Sequence, residues 1–485
     1  GVEYLNSFEI AALLDLAESN RDAKAMLLEI LENGAAHVVP QVIKGTERLV
    51  ASHPEFVETM LNSAVERFGE NAFWDVVSTV VGAAAILARI SWSRAKPTFE
   101  VATRSPRWIK ESNVAQAIAE IAKVNPDARV EVIQMLEKLS HDSSSTVRET
   151  ALWAAVELRE LEGRFGLDLL ESLSKDPSPA PEEDKQLLDA PVGQLLVLRT
   201  VRGVVAWTVP YFVQVDSGRC WNLLSRLSAD NSAYVRMMAI RGLEFWSKEP
   251  GHLDDVMAIL LAGGPKGSGL LRDESAWVRH GSLRLVFYQL AGNPKSIDAF
   301  YSPVKSALQD PEATVRSEAA QRVLDGAAIG RNPKYQELLK EVAESSITEA
   351  RSEIAFRVRS YMDKDERGAF EYFKPIFTRL ISDPSREVRE RAALSLEDWA
   401  EAHPSDVAGW CCSLVEAEAR FPMDTFFGMA GYHISQAFRR LVPAHPEEAV
   451  TILECVERLQ DKYQLNEILG AAERLPPEFR ARVRP

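Results

Sequence analysis

The chain has 485 residues, more than one compact core usually holds, so we expect several domains or an array of repeats. Its 56 basic and 71 acidic residues give a net charge of −15, which argues against wholesale binding to nucleic acid or to an anionic membrane. The most apolar run, residues 76–88, is shorter than the ~20 residues of a membrane span, and no signal peptide is visible.

Residues 1–112 predict helices without a clear repeat signature. Apolar residues recur at three- and four-residue intervals through residues 5–16, 23–31, 38–50 and 55–68, and residues 76–88 predict a buried helix. We expect diverged repeats here that in part cap the array. A strip of basic and aromatic residues then raises the possibility of phosphate and base contacts, against the simpler interpretation of a loop between helices. The strip consists of Trp92, Arg94, Lys96, Arg104, Arg107, Trp108 and Lys110.

From residue 113 onward one frame recurs, in which an Asp stands five residues before a Val-Arg pair and an apolar-striped helix follows. The copies are Asp142–Val147–Arg148, Asp230–Val235–Arg236, Asp273–Val278–Arg279, Asp310–Val315–Arg316 and Asp383–Val388–Arg389. Two longer intervals between copies predict degenerate units, one at residues 345–351 and one within residues 195–207. A period of roughly 40 residues indicates repeated helix pairs.

The frame also predicts which helix face is buried. If the Val of each copy is position zero, positions 0, +4, +5 and +8 are aliphatic or small and share one side of a helix. The Asp, twice followed by Pro, fits the turn that ends a first helix and starts a second. Each copy is therefore the junction of two packed helices.

The motif Asp-x-x-x-x-Val-Arg-x-x-Ala resembles the HEAT repeats of the HEAT/armadillo class. That resemblance implies an all-α, right-handed superhelical solenoid of antiparallel helix pairs with a period of about 36–44 residues. It also implies that the Asp and Arg pair across the stack and that the second helices line a concave surface. We expect diverged repeats or a cap over residues 1–112, the array over 113–445, and a C-terminal cap and tail over 446–485. Residues 174–191, rich in Pro, Ser and acidic residues, predict an exposed insertion that is either a tolerated loop or part of a binding face.

Positions +2, +6 and +10 point away from the buried stripe, so they form a ridge that we expect to face a partner. Several ridge residues are of types favoured at interface hot spots, although they could instead pack against first helices. The predicted partner-binding residues are Trp153, Met237, Arg241, Phe245, His280, Arg284, Tyr288, Gln321 and Leu394.

No catalytic motif emerges. There is no His-Glu-x-x-His and no nucleophile elbow, and the Gly-rich residues 262–271 lack the Gly-Lys-Ser/Thr of a phosphate-binding loop. Cys411 and Cys412 lie near His403 and His433 in the sequence, which raises the possibility of a thiol–imidazole site. Chance proximity is the preferred explanation. The four cysteines show neither metal-ligand spacing nor a disulfide framework, which predicts reduced thiols in a cytoplasmic protein. No cofactor or metal is expected.

The resemblance implies a non-catalytic scaffold or sensing array that holds a protein in its groove, within a larger protein or complex. The alternative is a helical-repeat protein that binds nucleic acid through Arg241, Arg284 and Arg322, which the acidic residues on the same ridge disfavour. An enzyme or lyase accessory of helical-repeat type is supported by no residue set. A start at Gly1 rather than Met is typical of a processed product or a fragment.

Overall fold

The structure is a computed structural model that describes residues 7–69, 74–105, 108, 114–179, 200–248, 251–263, 267, 269–292, 297–329, 331–362, 368–420, 428–456 and 472–480. Throughout these ranges the regular elements are α-helices and short 3-10 turns, with no strand. The fold is an all-α helical-repeat solenoid, which confirms the predicted fold class. The chain forms two compact units, Gly1–Trp246 and Ser247–Pro485.

The first unit contains thirteen of the described α-helices. They are α1 Ser7–Ala17, α2 Arg21–Asn33, α3 Val39–Thr46, α4 Pro54–Phe68, α5 Trp74–Ile90, α6 Trp92–Ala102, α7 Val114–Val124, α8 Pro126–Ser140, α9 Ser145–Glu157, α10 Arg159–Leu173, α11 Val201–Thr208, α12 Ser217–Leu227 and α13 Ala233–Trp246. Apart from α6, which packs on α4 and α5, the even-numbered first helices pair with the odd-numbered second helices that follow them. The second helices pack side by side from α3 to α13. The N-terminal residues therefore follow the same plan although they lack the frame.

The second unit repeats this arrangement. Its described helices are α14 Leu253–Ala262, α15 Ala276–Gly292, α16 Ile297–Ala307, α17 Ala313–Ala328, α18 Pro333–Glu344, α19 Thr348–Arg357, α20 Arg359–Met362, α21 Ala369–Leu380, α22 Arg386–Ala393, α23 Leu396–Trp399, α24 Pro404–Arg420, α25 Gly428–Ala444, α26 Pro446–Val456 and α27 Pro477–Arg480. Here the second helices α15, α17, α19, α22 and α25 pack in succession. The predicted domain limits at residues 112 and 445 stay predictions.

Each copy of the frame builds its turn as predicted. The carboxylate Oδ1 of the Asp accepts a hydrogen bond from the backbone N–H two residues later, at 2.7 Å for Asp142 and Asp383 and 2.9 Å for Asp310. This side-chain bond holds the turn that leads into the second helix. The aliphatic stripe of that helix is then buried, as Val235 and Ala239 show with no exposed surface. The predicted core face is confirmed.

The predicted pairing of Asp and Arg across the stack is also confirmed. The Arg donates backward to the carbonyl of its own Asp and forward to the carboxylate of the next repeat; Arg279, for example, lies 2.9 Å from the Asp273 carbonyl and 2.6 Å from Asp310 Oδ2. The forward pairs are Arg148–Asp176, Arg202–Asp230, Arg279–Asp310 and Arg351–Asp383. Arg316 reaches Glu349 instead, because the next unit has Ser345 where the others have Asp.

These bonds locate the degenerate unit of the first half. Arg202 donates to the Asp176 carbonyl at 2.6 Å across 26 residues, whereas Arg148 makes the same bond to Asp142 across 6 residues. Asp176 is therefore the Asp of this copy and Val201–Arg202 is its Val-Arg pair, so the insertion lies inside the frame. Asp176, which the sequence placed in the exposed insertion, is only 4% exposed because it belongs to the ladder of Asp and Arg residues. Residues 180–199 lie outside the described ranges.

The expectation of reduced thiols was wrong for two of the four cysteines. Cys412 on α24 and Cys455 on α26 form a disulfide, with their Cα atoms 5.4 Å apart. Cys220 and Cys411 are buried free thiols, and burial raises the pKa of Cys220 to about 12. Disulfides are rare in the cytosol, so the cytoplasmic location stays a prediction that this bond does not favour. Among the described helices, none has both the length and the apolar character that crossing a membrane requires.

Candidate partner-binding surface

The structure corrects part of the predicted ridge. Met237 and His280 are each 1% exposed and Arg241 is 5% exposed, so the expectation that they face solvent was wrong. His280, at position +2 of α15, faces the adjacent second helix, with its Nε2 3.6 Å from the Glu318 carboxylate on α17. Arg241 lies buried with its guanidinium 3.6 Å from Glu244 on the same helix. A stripe computed on one isolated helix could not show these neighbours.

The other predicted ridge residues do reach the surface. Phe245 is 43% exposed. The residues of intermediate exposure are Trp153, Arg284, Tyr288, Gln321 and Leu394. Exposure thus increases from position +2 toward +10 along most second helices. Asp325 at +10 of α17 is the exception, because it is fully buried.

In the first unit, four ridge residues form one continuous row of rings, which we call the aromatic row. Its members are Trp153, Trp207, Tyr211 and Phe245. Successive ring centroids lie 5.7 Å, 5.9 Å and 6.2 Å apart, the range of favourable aromatic pairs. The row runs from α9 past the C-terminal end of α11 to α13, so three successive repeats contribute to it. Tyr211 and Phe245 are 39% and 43% exposed.

Sequence reasoning missed two members of this row. Trp207 and Tyr211 occupy positions +6 and +10 when Val201 is position zero, the same ridge positions that the other copies defined. The insertion separates Asp176 from Val201–Arg202, so the frame could not be recognised by its spacing. The Val-Arg pair itself was the available signal.

Polar contacts orient the rings of the aromatic row. Trp153 Nε1 donates to Glu149 Oε1 at 3.1 Å, and the Arg159 guanidinium carbon lies 5.9 Å from the centre of the Tyr211 ring. Trp207 Nε1 is a buried atom without a hydrogen-bond partner in the described part of the chain. A row of oriented, partly exposed Trp, Tyr and Phe side chains has the composition of an interface core.

The second unit has a smaller aromatic feature on its ridge. Phe356 at position +6 of α19 is 36% exposed. The guanidinium carbons of Arg357 and Arg391 lie 5.2 Å and 4.9 Å from its ring centre. Tyr288 similarly has the Lys248 ammonium 5.0 Å from its ring centre. Basic groups thus lie over both rings.

The described part of the basic strip near the N-terminus is largely paired or buried. Arg94 pairs with Glu58 at 2.7 Å, and Lys96 pairs with Glu131 at 2.9 Å. Trp92 and Trp108 are 7% and 0% exposed, so neither can stack on a base. Trp92, Arg94 and Lys96 lie on helix α6, so the loop interpretation is wrong for that part of the strip. Arg107 and Lys110 lie outside the described residues.

The residues considered for a thiol–imidazole site do not form one. Cys412 is in the disulfide, and burial raises the pKa of the Cys411 thiol. The His403 ring stacks on Phe370 with their centroids 3.5 Å apart. Burial lowers the pKa of His433, which disfavours its protonated form. In the described ranges, no cluster of three or more His, Cys, Asp and Glu side chains could hold a metal ion.

Comparison with known proteins identifies the fold. No protein-family model matches the sequence, and no curated protein matches it. A Kap121p mutant matches with a TM-score of 0.53 and 13% identity over 97% of this chain and 55% of that one. Kap121p bound to Ste12p gives 0.51 at 11% identity over 98% and 59%, and Kap121p bound to Pho4p gives 0.50 at 11% identity over 98% and 59%. The chain thus spans less than two thirds of these proteins, and at such low identity it shares with them a helical-repeat fold.

Proposed function

We propose that the protein is a non-catalytic scaffold of HEAT type that binds a protein partner along the aromatic row. The row supports this proposal because three repeats build one continuous ring surface at positions that the core does not need. Trp and Tyr dominate interface energetics, since they bury large areas and keep a polar group. The fold supports it by analogy alone: Kap121p, of similar architecture, is seen bound to Pho4p and Ste12p.

Charge favours a protein over a nucleic acid as the partner. Of the three arginines offered for nucleic-acid binding, Arg241 and Arg322 are buried at 5% and 3% exposure. Arg322 is engaged with Asp325, its Nε lying 3.0 Å from Oδ2. Glu157 is an exposed acidic residue on α9, the helix that carries Trp153. Two of the three arginines are therefore not available to bind phosphate.

The double variant Tyr211→Ala/Phe245→Ala should lose partner binding and keep its fold. Peptides selected on the wild-type protein from a random peptide display library serve as probes. Removing two hot-spot rings at ~2 kcal/mol each should weaken binding of these peptides by about 10³-fold if the two effects add, and by at least about 30-fold, the effect of one ring, if they overlap. Both rings are about 40% exposed, so we expect the free energy of unfolding to change by less than about 1 kcal/mol.

A matched control removes exposed apolar groups from first helices instead. Met26 on α2 and Val130 on α8 are 47% and 63% exposed, and Met26→Ala/Val130→Ala should leave peptide affinity unchanged. Equal affinity of the wild type and the Tyr211→Ala/Phe245→Ala protein would refute the proposal. Failure of the wild type to select any peptide would do so too.

A further inference from the structure

The second unit contains a cavity of about 420 Å³ that the partner-binding proposal does not use. It opens between the C-terminal end of α17, the start of α18 and the helices α20 and α21. Its volume lies within the ~300–1,000 Å³ of small-molecule sites. One side is formed by Ala327, Ala328 and Ile329, and Ile329 is 38% exposed. A large apolar side chain at the cavity is thus open to solvent, and an apolar ligand would cover it.

Another wall of the cavity is aromatic. It consists of Tyr361, Tyr372 and Phe373. The Tyr372 and Phe373 ring centroids lie 4.7 Å apart at 79°, and the Tyr361 centroid lies 6.2 Å from that of Phe373. The Tyr361 hydroxyl donates to Asp325 Oδ1, so that hydroxyl is already used and the ring is what Tyr361 offers a ligand. A wall of packed ring faces and edges suits a further flat ring.

The charges around the cavity favour a neutral ligand. Among the described lining residues only Arg331 is charged, and it already has an interaction of its own. The fully buried Asp325 carboxylate, which accepts from Tyr361, has the Arg322 guanidinium Nε 3.0 Å from its Oδ2. A charged ligand would therefore lose its hydration without gaining a free counter-charge, which is costly.

The other polar side chains at the cavity are neutral. They are the Gln336 amide and the hydroxyls of Tyr361 and Tyr372. Burial and the nearby Glu337 carboxylate raise the pKa of Tyr372, so its hydroxyl keeps its proton at neutral pH. The same carboxylate disfavours an anion beside the Tyr372 ring. These side chains can hydrogen-bond an uncharged ligand, but they cannot neutralise a charged one.

We propose that this cavity binds a small neutral aromatic molecule. The ligand ring packs against Tyr361, Tyr372 and Phe373, and it covers the aliphatic surface of Ile329. The ligand carries no charge, because the cavity holds no free group to pair with one. This site lies in a different unit from the aromatic row, so its test is independent of the scaffold function.

Ligand-detected NMR on the full chain tests the proposal, with benzyl alcohol as the probe and benzoate and cyclohexylmethanol as matched comparisons. Benzyl alcohol should bind. Benzoate should bind at least about tenfold more weakly, because its charge would be buried without a partner. Cyclohexylmethanol should bind about twofold to tenfold more weakly, because it keeps the hydroxyl and the size but lacks the flat ring.

Two substitutions fill the cavity from different helices. Ala328 on α17 and Ala369 on α21 line it and are of intermediate exposure, so Ala328→Phe and Ala369→Phe should occupy the cavity without entering the core. Each variant should abolish benzyl alcohol binding and keep the helical circular dichroism of the wild type. Ala328→Ser changes the side-chain size little, so it is the control and should bind as the wild type does.

Three results would each overturn the proposal. The first is no binding of benzyl alcohol to the wild type at about 10 mM, roughly the weak limit of specific binding. The second is binding of benzoate or cyclohexylmethanol as tight as that of benzyl alcohol. The third is unchanged benzyl alcohol binding by a folded Ala328→Phe or Ala369→Phe protein.

Discussion

Arg351→Ala should lower the free energy of unfolding of the second unit by about 3–5 kcal/mol. The Arg351 guanidinium makes two bonds to the Asp383 carboxylate, at 2.7 Å and 3.0 Å, and one to the Ser345 carbonyl. The side chains of Arg351 and Asp383 are only 8% and 3% exposed. Removing the Arg leaves a buried carboxylate without its counter-charge, which costs more than the pair itself contributes.

Hydrogen exchange of the α19 and α22 amides is the suitable measurement, because repeat arrays need not unfold in one step. Lys334→Ala is the control, since its partner Asp298 and Lys334 itself are 59% and 60% exposed. An exposed pair of this kind contributes about 0–1 kcal/mol. A loss of protection in Arg351→Ala no greater than in Lys334→Ala would show that the Asp and Arg residues do not hold the repeats together.

Gly242→Ala should destabilise the first unit by about 1–3 kcal/mol, although Ala is the better helix former. A Cβ at Gly242 would lie 2.6 Å from the Ala206 carbonyl oxygen and 3.0 Å from Leu224 Cδ1. The first of these is backbone of the neighbouring second helix α11, so the clash cannot be relieved by turning a side chain. Helices α11 and α13 would have to separate.

Gly409→Ala is the opposite case and serves as the control for this effect. A Cβ there would meet nothing within 4 Å, and the residue lies inside helix α24. The substitution should stabilise the chain by about 0.5–1 kcal/mol through helix propensity alone. Thermal and urea unfolding of the two variants should therefore change in opposite directions. A stabilising Gly242→Ala would contradict the close packing of the second helices.

The sequence was sufficient to predict the helix pairs and the buried stripe. The frame carries its own turn in the Asp, its own core in the Val and small residues, and its own contact between repeats in the Arg. Such local chemistry can be recognised without neighbours. The ridge was only half predictable, because Met237 and His280 point away from the stripe of their own helix and yet are buried, His280 against the next second helix.

Two further features were not predicted, each for its own reason. Trp207 and Tyr211 were hidden by an insertion that changed the spacing of the frame. The disulfide joins Cys412 and Cys455, which are 43 residues apart. That separation is one repeat period, so equivalent positions on α24 and α26, the corresponding helices of successive repeats, become neighbours. Neither partner has a local signal, and the contact appears only when the repeats are stacked.

The central claim is that a protein partner lies on the aromatic row, and site-specific photo-crosslinking tests it most directly. A benzophenone amino acid at position 211 should crosslink to the selected peptides. The same group at position 222, an exposed position on first helix α12, should not. Crosslinking from position 222 but not from position 211 would contradict the claim.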